Sequence, residues 1–218
     1  MTPQATKHLP EGYTQQAKLG MDGNTWVMIG INLLSIPLLF LFGWLFIAYA
    51  TAVRPSSSLA FYNLVWQFQG SGSIAPLLGV LLALALMVIV HEAAHGLFFW
   101  LFTRERPVFG MRWFAAFAGA PDWYIKRDPY LIVGLAPFVL ISGLGLLLIA
   151  FGPATWALWV LLVVIINAAS SAGDFAVTAW LLFQSRETLV NDTGLSFTTY
   201  LQNPEGQPTT SSAAPPID

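Results

Sequence analysis

About 20 apolar residues carry an α-helix across a hydrocarbon core, and four stretches of this chain reach that length: roughly Trp26–Ala52, Ala75–Phe102, Leu131–Phe151 and Ala154–Phe183. Inside lipid a backbone must satisfy its own polar groups, so each stretch is expected to be a helix. The fold class that follows is an all-α membrane protein, a four-transmembrane-helix bundle. Ala48-Tyr49-Ala50 resembles a signal-peptide cleavage site, but the preceding apolar run far exceeds the ~7–15 residues of a signal core, so the first stretch reads as an uncleaved span. With 56% hydrophobic and 9% charged residues among 218, the composition excludes an ordinary soluble domain.

The polar segments then set the organisation: a polar N-terminal tail over 1–23, a single transmembrane domain over 24–183, and a C-terminal tail over 184–218. Both tails are poor in apolar side chains and are expected to be mostly disordered. Ser56–Ser73 mixes apolar and polar residues before a Gly/Ser run, which fits either a short surface helix or a plain loop. Arg106–Tyr124, "RPVFGMRWFAAFAGAPDWY", has short apolar stretches broken by Gly110, Gly119 and Pro121, compatible with a small membrane-surface hairpin between the second and third spans. Placing both termini and the 103–130 loop in the cytoplasm puts eight of the nine Lys and Arg inside and leaves Arg54 outside, as the positive-inside rule requires. Trp26, Trp44, Trp66, Trp100, Trp113, Trp123 and Trp156 lie near span ends or in loops, where the membrane interface favours them. The scattered basic residues form no stripe for nucleic acid, and the lipid bilayer is the one partner that composition demands. Oligomeric state cannot be read.

Ionisable residues within spans are expensive and therefore informative. Of the eleven Asp and Glu only Glu92 and Asp174 fall in the predicted spans, and of the three His only His91 and His95 do. "HEAAH", His91 to His95, places two imidazoles at i and i+4 on one helical face, the spacing that supplies two corners of a zinc site. Glu92 points about 100° round the helix, positioned to take a proton from an attacking water. The second span reaches His91 and His95 after 16 and 20 residues, and the fourth reaches Asp174 after 20. At a rise of ~1.5 Å per residue the three groups lie at similar depth. The chain has no cysteine, which leaves His91, His95 and Asp174 as the expected ligands of Zn2+, with an open fourth position as in catalytic sites. Glu92 is then the catalytic base, and Asn167, two turns before Asp174, is a candidate substrate-binding hydrogen-bond donor.

With HEAAH followed two spans later by "NAASSAGD" (Asn167–Asp174), and with "GLAPFVLIS" (Gly134–Ser142) between them, the chain resembles site-2-protease-like intramembrane zinc metalloproteases. It is most similar to the small bacterial membrane proteins of the DUF3267 zincin peptidase family. The resemblance runs from about Gly79 to Phe183. It implies peptide-bond hydrolysis of a membrane protein or peptide substrate, in the bacterial plasma membrane, with His91, His95 and Asp174 as ligands and Glu92 as general base. It also suggests that the 103–130 hairpin could hold an unwound substrate by strand addition. This chain has no proline between Asn167 and Asp174, and Phe175 rather than Gly follows the aspartate. Two other classes use the same residues: a zinc-binding membrane transporter or sensor, and a catalytically silent scaffold in which the polar cluster staples helices.

Overall fold

The computed structural model describes residues 4–20, 25–56, 74–112 and 115–203. Three long helices form where the apolar stretches dictate: α1 (Thr25–Val53), α2 (Ala75–Thr103) and α3 (Arg127–Phe151). Each is long and apolar enough to cross a membrane. Their outward faces carry large exposed apolar side chains, among them Leu33, Phe40, Leu82 and Leu144, a pattern suited to lipid rather than water. Trp26, Trp44, Trp100 and Trp156 are also exposed. Ser57–Ser73, Trp66 and Trp113 lie outside the described residues.

The expected all-α four-helix bundle is not what forms. The fourth stretch is broken into α4 (Ala157–Ser170) and α5 (Ala172–Leu182), which bend by 46°. Ser171 sits at the break, where both its N–H and its hydroxyl donate to the Asn167 carbonyl at 3.0 Å. A serine that bonds back in this way, beside a second serine and Gly173, is a recognised cause of a bend.

The second correction is a six-stranded antiparallel sheet. Its strands are β1 (Ala5–Thr6), β2 (Tyr13–Gly20), β3 (Val108–Arg112), β4 (Ala115–Lys126), β5 (Leu189–Asp192) and β6 (Ser196–Gln202). They run in the order β1-β4-β5-β6-β2, with β3 also on β4. The fold is thus mixed α/β, and the tails over 1–23 and 184–218, expected to be disordered, contribute four of its strands. β2 and β6 pair from Tyr13↔Gln202 to Gly20↔Ser196, because β6, "SFTTYLQ", is rich in the β-branched and aromatic residues that fit a pleated surface. The hairpin between the second and third spans is present as β3 and β4, paired from Val108↔Gly119 to Arg112↔Ala115.

Two cores hold the parts together. One packs α1 on α3 and α4 through Phe46, Ala50, Ile149, Leu161 and Val164. Here Gly145 lets the helices close up, since a Cβ would lie 2.2 Å from Val164 Cγ1. The other joins helices to sheet through Phe99, Ile125, Val133, Leu181, Val190 and Phe197. Excluding water from side chains such as Val190 contributes roughly 1.5–3 kcal/mol each. At the far end of the helices Arg54 donates to the Ala150 and Gly152 carbonyls at 3.1 and 2.8 Å, closing the C-terminus of α3.

Candidate metal centre

The site lies where α2 and the bent α4–α5 pair meet beneath the sheet. His91 is buried, and the His91 and His95 rings sit on adjacent turns, their centroids 5.0 Å apart. Each ring uses its Nδ1 outward. His91 Nδ1 meets Asn167 Oδ1 at 3.0 Å, and His95 Nδ1 meets the Val133 carbonyl at 2.9 Å. A carbonyl oxygen only accepts, and Asn167 presents its oxygen, so both imidazoles carry their proton on Nδ1. In the neutral rings the Nε2 lone pairs then face the inner side.

That inner side faces Asp174. His91 Nε2 lies 3.3 Å from Asp174 Oδ2, and His95 Nε2 lies 3.4 Å from Oδ1. The three ligand atoms fall within 4.8 Å of one another. Asp174 Oδ2 is buried without a hydrogen-bond donor, which matches an imidazole whose proton is on the opposite nitrogen. Lone pairs facing a buried carboxylate repel unless a cation lies among them. Two imidazole nitrogens and a carboxylate oxygen form a donor set suited to zinc, and Asn167 and the Val133 carbonyl already orient the two rings. The bend at Ser171 matters here: it puts Asp174 in the first turn of α5, where the helix dipole favours a negative charge.

Glu92 lines the same cavity as the three ligands, and its carboxylate accepts the backbone N–H of Ala118. A strand of the sheet therefore reaches the helix that carries the histidines. β3 pairs with β4 along Ala115–Gly119 and β5 pairs with it only at Ala120, Ile125 and Lys126, so among the described residues no second strand pairs with β4 over Ala116–Ala118. That short stretch lines the cavity.

Asn167 has a different place from the one expected. It is wholly buried, accepting from His91 and donating from Nδ2 to the Pro137 carbonyl at 3.4 Å. It stands behind the ligand rather than among the residues lining the cavity. Two further residues of the cavity escaped the linear reading, Tyr130 and Asp192. The Tyr130 hydroxyl donates to Asp192 Oδ2 at 2.5 Å and the Gly194 N–H donates to Oδ1 at 2.6 Å. Burial pushes the Asp192 carboxyl above the usual carboxylate range, against the lowering effect of the Tyr130 bond. The one local hint was the turn "DTG" between two short β-type runs.

Residues 84–190 match the model of the DUF3267 family, whose description is "Putative zincin peptidase". The match covers just under half of the chain and includes His91, Glu92, His95, Asn167 and Asp174. It points to zinc metallopeptidase chemistry, for which the donor set above is suited. No curated protein and no solved structure matches the chain. Asp192 and the rest of the β5–β6 turn fall outside the zincin peptidase match.

Proposed function

We propose that this chain is an integral-membrane zinc metalloprotease that hydrolyses peptide bonds of membrane-associated polypeptides, within or beside the bilayer. The observation that carries the reading is the convergence of His91 Nε2, His95 Nε2 and the Asp174 carboxylate within 4.8 Å of one another, with Glu92 lining the same cavity. A bound Zn2+ supplies Lewis acidity, bringing the pKa of a coordinated water toward ~7 and polarising the scissile carbonyl.

The rest of the chemistry falls to the chain. His91, His95 and Asp174 hold the ion, and Asn167 and the Val133 carbonyl keep the two rings in the tautomer that permits it. Glu92 takes the proton of the attacking water and returns it to the leaving amine, its carboxylate steadied by the Ala118 N–H. An extended substrate segment lies along Ala116–Ala118 of β4, because a peptide bond must be free of helical hydrogen bonds to be attacked.

The location is supported by the path of the chain. β2, β4 and β5–β6 belong to one sheet, so the segments before α1, after α2 and after α5 lie at the same end of the molecule. Lys7, Lys18, Arg104, Arg106, Arg112, Lys126, Arg127 and Arg186 belong to these segments, and Arg54 lies at the opposite end against Gly152. The sheet end is thus the cytoplasmic one in this reading.

Metal content and peptide cleavage by the purified full-length protein test it. Wild type binds zinc, His91→Ala and Asp174→Ala lose it, and Glu92→Gln keeps it while cleavage falls at least about 10²–10⁴-fold. A wild type that takes up no zinc, or a Glu92→Gln variant that cleaves normally, defeats the reading.

A further inference from the structure

We infer that the tip of the β5–β6 hairpin is the substrate selector of this site, accepting an uncharged apolar residue next to the cleaved bond and turning acidic residues away. This rests on the peptidase reading and extends it to the class of substrate.

Asp192, Leu195 and Phe197 line the same cavity, of about 710 Å³, as His91, Glu92 and His95. The tip is held rigidly enough to discriminate. Its turn is closed by the Thr193 N–H on the Ser196 carbonyl at 3.0 Å, and Asp192 ties it to α3 through the Tyr130 hydroxyl. Gly194, at φ +86°, sits so close to β4 that a Cβ on Gly119 would lie 2.6 Å from its nitrogen. Phe197 packs edge-on against Trp180, ring centroids 5.7 Å apart. Leu195 and Phe197 thus present a fixed apolar wall, each only 8% exposed.

Charge points the same way. Glu92, Asp174 and Asp192 line the cavity, and among the described residues no Lys or Arg does. A Glu or Asp side chain entering beside the cleaved bond meets this acidic lining with no Lys or Arg among the described residues to receive it. The selector also lies beyond the matched region, which ends at residue 190, whereas the ligands and Glu92 lie within it. The shared chemistry and the selectivity of this particular chain therefore come from different parts of the sequence.

The test uses the full-length, zinc-loaded protein in detergent and a peptide series with Ala, Leu, Phe or Glu at each position flanking the cleaved bond. Cleavage of these peptides by wild type is compared with their calorimetric binding to Glu92→Gln, which does not require turnover. Wild type should rank Leu and Phe well above Glu. Leu195→Ala should shift the kcat/KM ratio of Phe to Leu peptides about tenfold toward Phe, Leu195→Met should restore the ranking, and Asp192→Asn should raise Glu relative to Leu about tenfold. Asn at 192 can keep both contacts, accepting from Gly194 and donating to Tyr130. The inference is overturned if the variants scale all peptides equally or if wild type takes Glu as readily as Leu. Should wild type cleave nothing while Glu92→Gln binds with the expected ranking, the peptidase reading falls and the selector stands.

Discussion

In the proposed site, His91 would be prepared as a ligand by a residue that does not itself reach the ion. Its Nδ1 proton is committed to Asn167 Oδ1 at 3.0 Å, which fixes both the tautomer and the plane of the ring. Asn167→Ala removes that acceptor and leaves the His91 Nδ1–H buried without a partner, so zinc affinity should drop about 10–100-fold. Competition against a chromophoric chelator measures this directly, and an unchanged affinity would show that packing alone orients the ring. His95 is tied instead to a backbone carbonyl, Val133, which no side-chain substitution can delete. The HEAAH spacing exposed both histidines to a linear reading, but it could not tell which nitrogen of either ring faces inward, because that depends on partners 76 and 38 residues away.

Among the elements, the bent α4–α5 pair and the β5–β6 hairpin do most to shape the site. Composition showed a fourth apolar stretch of spanning length. It did not show the break, since Ser170 and Ser171 in an apolar run fit equally well into a continuous helix, and the bend emerges only when Ser171 bonds back to Asn167. The hairpin was missed for a related reason. The tail was judged by its polar, proline-rich end, whereas Leu189–Gln202 forms strands because β4 and β2 offer edges to pair with. Its turn has one sharp requirement. Gly194 adopts φ +86°, and a Cβ there would lie 2.2 Å from Phe117 Cδ2. Gly194→Ala combines left-handed strain with overpacking and should destabilise the fold by about 1–3 kcal/mol, seen as an earlier thermal unfolding midpoint. Gly143→Ala, whose added methyl would meet nothing within 4 Å, is the matched control and should leave the midpoint nearly unmoved.

For the molecule as a whole, the proposed zinc site would couple metal binding to the fold. Asp174 draws α5 to α2 only if its charge is compensated, so an ion held between the two helices ties them together. Stripping zinc with a chelator should lower the stability of wild type, by about 4 kcal/mol relative to free zinc at about a thousand times Kd. The Asp174→Ala variant should show little response to the same treatment. Differential scanning fluorimetry with and without chelator checks both, and equal shifts in the two proteins would argue that the chelator acts elsewhere.

Local spacing was enough to determine that this chain has helices long and apolar enough to cross a membrane and that two imidazoles and a glutamate share adjacent faces of one helix, because hydrophobic run length and the 3.6-residue turn are properties of contiguous residues. Tertiary structure alone decided that residues 5–20 and 189–202 join one sheet, that Asn167 hydrogen-bonds His91, and that Tyr130 and Asp192 line the cavity. Those outcomes rest on pairings between residues far apart in sequence, whose partners no local pattern can name.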